Sequence, residues 1–139
     1  MKYLTFTSLL LLATGCEKEA EGPSLTELLT ATPWKMVASV TEHPVNPPYD
    51  AFPTMQACEK DNKYVFLADS SYLQLEGPTR CNPADPEVKS TTTWQLLNNG
   101  TVLKLGITEN NVVVISKDSL ILKRNGTANR VYFYKFSPY

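Results

Sequence analysis

From Trp34 to the end of the chain, apolar residues recur at every second position in short runs, and most runs stop at a turn signal. Trp34, Met36, Ala38 and Val40 alternate with Lys35, Val37, Ser39 and Thr41. A period of two places alternate side chains on opposite faces of a strand. Similar runs occupy 63–69, 71–77, 91–97, 101–107, 111–116, 119–125 and 129–136. Asp69-Ser70, Asn98-Asn99-Gly100 and Lys117-Asp118 separate neighbouring runs. Asn-Gly is the strongest of these, because both residues accept the positive φ that tight hairpins need. Eight short strands with turns between them predict an antiparallel sandwich or barrel.

Two stretches interrupt the meander. Residues 43–57 carry Pro44, Pro47, Pro48 and Pro53, which no central strand accepts, so the stretch is expected to be a long ordered loop. Gly77–Pro86 is expected to be a second loop. Ahead of the strands, Ser24-Leu25-Thr26-Glu27 forms a capping box, with the serine capping a helix start and the glutamate reaching back to it. Leu25, Leu28 and Leu29 share one face, and Pro33 ends the helix within two turns. The expectation is a short lid or plug.

The N-terminus has a different character. Lys2 is followed by an apolar stretch from Leu4 to Leu12, then by Ala13-Thr14-Gly15-Cys16. A positive start, a short greasy core and a small-residue cut site describe a secretory signal. The stretch is shorter than the roughly 20 residues a bilayer span requires. Leu12-Ala13-Thr14-Gly15-Cys16 resembles the lipobox of bacterial lipoproteins, in which the cysteine is acylated and begins the mature chain. Residues 1–15 then form the signal peptide. Residues 16–23, with Glu17, Glu19 and Glu21, form a flexible acidic tether that buries nothing apolar. An acidic run beside the cysteine also resembles the surface-export signal of Bacteroidetes lipoproteins. The implied location is the cell envelope, lipid-anchored to the outer membrane through Cys16, with surface exposure as what the acidic-run resemblance implies.

Residues 24–139 remain as one small domain, large enough for a core with little to spare. The whole chain has 13 Lys and Arg against 14 Asp and Glu, and loses Lys2 with the leader. No basic patch points to nucleic acid. Beyond Cys16 the cysteines are Cys58 and Cys81. A pair in an exported chain reads as a disulfide. A metal site would need more ligands than these and the single histidine, His43, supply.

The ordered set of Trp34, Cys58-Glu59-Lys60-Asp61, Phe66, Gly77-Pro78, Cys81, Trp94 and Asn99-Gly100 resembles the lipocalin-like domains of Bacteroidetes lipoproteins. The likeness runs from about Leu25 to Phe136. It implies a small eight-stranded antiparallel lipocalin-like (calycin) barrel with a short N-terminal helix. It implies no particular activity. Thr32-Pro33-Trp34 stands where lipocalins carry Gly-x-Trp, so their ligand binding is not carried over.

A barrel of this size either fills its interior with side chains or holds one small ligand. Trp34, Met36, Phe66, Leu73, Trp94 and Tyr134, with Leu75, Leu96 and Leu103, are the candidates for the inner face. The large rings favour a mostly filled interior. No catalytic residue and no cofactor is expected: His43 lies in a proline-rich loop, G-x-S-x-G is absent, and the thiols are paired. Glu59, Asp61 and Asp69 read as surface acids. Asn99 and Asn125 head glycosylation sequons better read as turns, and Asp118-Ser119-Leu120 resembles a Bacteroidetes O-glycan acceptor at Ser119. Tyr49, Phe52 and Met55, held among prolines, suit either a partner or the cover of an open barrel end. The sequence thus predicts a non-enzymatic interaction module that meets an envelope protein or extracellular polymer through its loops. The alternative is a carrier of a small apolar ligand.

Overall fold

A computed structural model describes residues 22–139. The capping box forms as expected. Ser24 Oγ accepts from the Glu27 amide at 3.2 Å, and Glu27 Oε2 accepts from the Ser24 amide at 2.7 Å, opening α1 (Leu25–Thr30). Strands follow as β1 (Trp34–His43), β2 (Asn46–Asp50), β3 (Lys63–Phe66), β4 (Ser71–Leu75), β5 (Val88–Leu97), β6 (Val102–Leu105), β7 (Thr108–Ile115), β8 (Leu120–Asn125) and β9 (Val131–Pro138). A second short helix, α2 (Ala57–Lys60), lies between β2 and β3. All strand pairings are antiparallel, in the order β2-β1-β3-β4-β5-β6-β7-β8-β9. A further β1–β9 pairing, from Trp34↔Pro138 to Glu42↔Val131, closes the sheet into a ring.

Nine strands replace the expected eight, and the extra one lies inside the stretch expected to be loop. β2 contains Pro47 and Pro48 but pairs only with β1, so an edge position absorbs the missing amide donors. The register slips between Thr41 and His43, opposite the prolines. Asp50 then locks the return of the chain: its Oδ1 accepts from the Ser39 and Phe52 amides, each at 3.0 Å. Past it the segment folds into a short 3-10 turn (Phe52–Thr54) and α2 rather than open loop.

The hairpin at 98–100 needs its residue types. Asn98, Asn99 and Gly100 have φ of 51°, 55° and 85°, three left-handed residues in succession. A side chain at Gly100 would also run into Leu25 of α1. The helix therefore lies across the end of the ring that carries this turn.

That end is packed solid. Leu29, Trp34, Leu103 and Leu120 are fully buried. Phe66 meets Trp94 edge-on at 5.9 Å between centroids, and Tyr64 meets Phe136 at 5.2 Å. Both indoles are satisfied: Trp34 Nε1 donates to the Leu29 carbonyl and Trp94 Nε1 to that of Leu67, each at 2.9 Å. Leu73 is a correction. Phe66 pairs with Tyr72 and Val65 with Leu73, so Tyr72 joins the inner face and Leu73 takes the outer one. Choosing the wrong partner of an alternating pair inverts the face of the whole strand, and Leu75 moves outward with it. Cys58 of α2 is disulfide-bonded to Cys81 in the connection between β4 and β5, with Cα atoms 5.2 Å apart.

Candidate functional site at the open end of the ring

Inward alternation continues past the packed layer toward the end opposite α1, where the interior is not filled. On β8 the inward residues are Leu120, Leu122 and then Arg124, and on β9 they are Phe136, Tyr134 and Tyr132. The registers Leu122↔Tyr134 and Arg124↔Tyr132 put the arginine beside two phenol rings. The result is a cavity of about 380 Å³, open to solvent. Its floor and walls are lined by Met36, Leu105, Leu122 and Phe136 and by the rings of Tyr64 and Tyr72. Thr92, Thr108 and Asn110 add polar edges. Asn110 is held in place by donating to the buried Leu103 carbonyl at 3.3 Å.

Arg124 is the one charged residue among the described residues that line the cavity. Its Nη2 donates to the Tyr134 hydroxyl at 2.6 Å, and its guanidinium lies 5.3 Å from the Tyr134 ring centroid and 5.6 Å from that of Tyr132. Such stacking orients a guanidinium without neutralising it. Burial pushes the Tyr64 and Tyr72 phenols above their ordinary value of 10.0, with the Glu59 charge adding to the first and Tyr64 to the second. Both rings therefore stay neutral well into the alkaline range.

A second concavity, about 270 Å³, lies on the outer face between Val40, Ile121, Phe133 and Val113, rimmed by Glu42 and Lys135. It has an apolar floor with no polar group converging on a point. The interior cavity combines apolar walls with directed polar groups, the usual make-up of a small-molecule site.

The structure separates the candidate lining residues. Met36 and Tyr134 line the cavity; Trp34, Phe66 and Trp94 belong to the packed layer; Leu73 faces outward. Arg124, Tyr64 and Tyr72 were missed. The signal for Arg124 was present: it continues the Leu120, Leu122 alternation, but a charge at a strand's end reads as solvent-facing. The residues of 43–57 divide as well. Tyr49 is 56 % exposed on the outermost strand, whereas Phe52 and Met55 are half-buried. Lys60 Nζ sits 5.7 Å from the Phe52 ring centroid and donates to the Pro53 carbonyl at 2.8 Å. His43 Nδ1 accepts from the Val45 amide at 3.3 Å at the tip of the β1–β2 turn. Ser119 closes the β7–β8 turn, its amide donating to Ser116 Oγ at 3.0 Å. Cys16 lies outside the described residues. The chain matches no protein-family model and no curated protein.

Proposed function

We propose that the ring is the eight-stranded barrel of a lipocalin-like envelope lipoprotein, with β2 as an outrigger on β1, and that its open end holds a small molecule. The protein is non-enzymatic in this reading. It is tethered to the outer membrane through acylated Cys16 and presents the cup on the acidic tether of residues 16–23. One observation carries the choice of a ligand carrier over an interaction module: an unfilled cavity of about 380 Å³ lined by both apolar and directed polar side chains. That volume lies within the range of roughly 300–1,000 Å³ usual for small-molecule sites. Of Tyr49, Phe52 and Met55, the residues named for the loop-mediated alternative of contact with an envelope protein or polymer, only Tyr49 is exposed.

Native mass spectrometry of the mature protein from its own cells tests the reading. The expected spectrum shows acyl mass on Cys16 and a dissociable small molecule at one per chain. Met36→Trp, which fills the cavity floor, should abolish the second feature and keep the first. A small molecule retained by Met36→Trp would place its site elsewhere. Unacylated protein starting at another residue would remove the anchor.

A further inference from the structure

Resting on the cup reading, we infer that the ligand is an organic anion, whose acidic head (carboxylate, sulfonate or phosphate ester) is held by Arg124 and Tyr134 and whose apolar body lies against Leu122, Phe136 and Met36. Three observations carry this. The first is charge. Arg124 points into the cavity, is half-buried, and has no carboxylate within ion-pair distance among the described residues. A guanidinium withdrawn from water without a counter-ion is costly, and an arriving anion supplies what the fold leaves out. The second is donor direction. A guanidinium has five N–H donors, and Tyr134 takes one of them. Because the Tyr134 oxygen accepts from Arg124, its own O–H remains to donate. An anion at this point gains charge-assisted bonds from both groups, the geometry that suits a planar or tetrahedral oxyanion. The third is spare capacity nearby. The Tyr64 and Tyr72 hydroxyls, also on the cavity wall, make no hydrogen bond to a described residue, while no acidic side chain lines the cavity to repel an anion.

The body of the ligand is constrained by the same walls. Leu122 and Phe136 lie on β8 and β9 directly toward the packed layer from Arg124 and Tyr134. A ligand anchored by its head at the mouth therefore extends its apolar part inward, and a bare inorganic ion would leave those walls wet.

Two fluorescent probes with the same aromatic body separate head from body: anilinonaphthalene sulfonate, and phenylnaphthylamine, which lacks the sulfonate. The mature wild-type protein should bind both at one per chain, the sulfonate more tightly. Naphthoate should displace the sulfonate probe, and inorganic phosphate at the same concentration should not. Arg124→Gln should weaken the sulfonate probe about tenfold to a hundredfold, the worth of hydrogen bonds to a charged group, and leave the neutral probe within about twofold. Lys123→Gln, its neighbour on the outer face, should change neither. Equal wild-type affinity for the two probes, or an Arg124→Gln loss that is the same for both, overturns the anion inference and leaves the cup. Displacement by phosphate alone overturns the apolar body. Failure of both probes to bind the wild type removes the cup itself. If Arg124→Gln does not fold, the wild-type preference decides, backed by Tyr134→Phe, which keeps the ring and should still cost the sulfonate probe affinity.

Discussion

Trp34→Phe is the sharpest probe of how the closed end is held. Trp34 is 0 % exposed, and its indole N–H donates to the Leu29 carbonyl at 2.9 Å, which seats α1 on the ring. Phenylalanine keeps an aromatic ring but removes that donor. The Leu29 carbonyl is then buried without a partner, which costs about 1–3 kcal/mol. The smaller ring gives up roughly 40 Å² of apolar contact, about 1 kcal/mol at the usual coefficient. The expected loss is about 2–4 kcal/mol, and Trp34→Ala should approach the upper end of the ~3–5 kcal/mol seen for deleting a large core ring. The chain has 2 tryptophans, so each variant leaves Trp94 as a single reporter inside the same packed layer. Urea unfolding should be followed by Trp94 fluorescence and by far-ultraviolet circular dichroism. The midpoint should fall while the slope is unchanged, since the same surface is exposed on unfolding. A loss below about 0.5 kcal/mol, the level of an ordinary surface change, would show that the Trp34–Leu29 bond does not couple helix to ring.

Three further outcomes follow from the same geometry. Replacing both Cys58 and Cys81 by serine opens a link with a sequence separation of 23, and should lower stability by roughly 3 kcal/mol on the chain-entropy model; equal urea midpoints for oxidised wild type and the double variant would refute it. Tyr64 and Tyr72 have folded pKa values raised above 10.0, so their contribution is complete below about pH 10 and is lost as pH rises through the folded values; an alkaline fall in the unfolding midpoint that persists unchanged in Tyr64→Phe/Tyr72→Phe would place its cause elsewhere. Tyr49→Ala should leave stability within about 0.5 kcal/mol, whereas Phe52→Ala, half-buried under Lys60, should cost about 1–2 kcal/mol; the same small effect for both would mean that the 43–57 segment is not structural cover.

What was legible in the sequence is what depends on local rules. The capping box, the stop at Pro33, the Asn-Asn-Gly turn and the alternation of β9 are each decided by nearby residues. The alternation of β1, by contrast, holds only as far as Met36: the register shifts between Met36 and Ala38, and Val40 pairs with Phe133 on the outer face. What was not legible depends on partners distant in sequence. Pro47 and Pro48 exclude a central strand, but whether a strand is central depends on how far β3 reaches along β1. β3 is only Lys63–Phe66 and meets β1 at the single pair Trp34↔Tyr64, so β1 keeps a free edge for β2. Leu73 failed for a related reason. Tyr72 and Leu73 both suit either face, and the choice is made by Phe66 across the ladder. Arg124 was passed over because composition assigns charge to the outside, whereas the pleat assigns it to the face of Leu122.

The same short β3 explains where the covalent link sits. Every other join of the ring is a ladder of at least four pairs, but β1 and β3 share one. Backbone pairing alone would leave the β3–β4 hairpin attached mainly through β5. Other contacts make up the difference. Glu76, buried at the exit of β4, is paired with Lys89 of β5 at 2.8 Å, and Asn62 ahead of β3 donates to Glu76 Oε2 at 3.3 Å and to the Cys58 carbonyl at 3.2 Å. Asp61 Oδ2 accepts from the Thr79 amide at 2.8 Å. Cys58 to Cys81 ties the same two segments covalently. These groups gather on the connections flanking the weak join, with α2 packed against β1. They restrain the hairpin that carries Tyr64 and Tyr72, so the wall of the cup is fixed by side-chain and disulfide links where the backbone ladder is missing. Breaking those links should therefore loosen the cup before it unfolds the packed end, because Trp34 is held by its bond to α1 and its ladder with β9, and Leu103 and Leu120 lie on β6 and β8, away from the weak join.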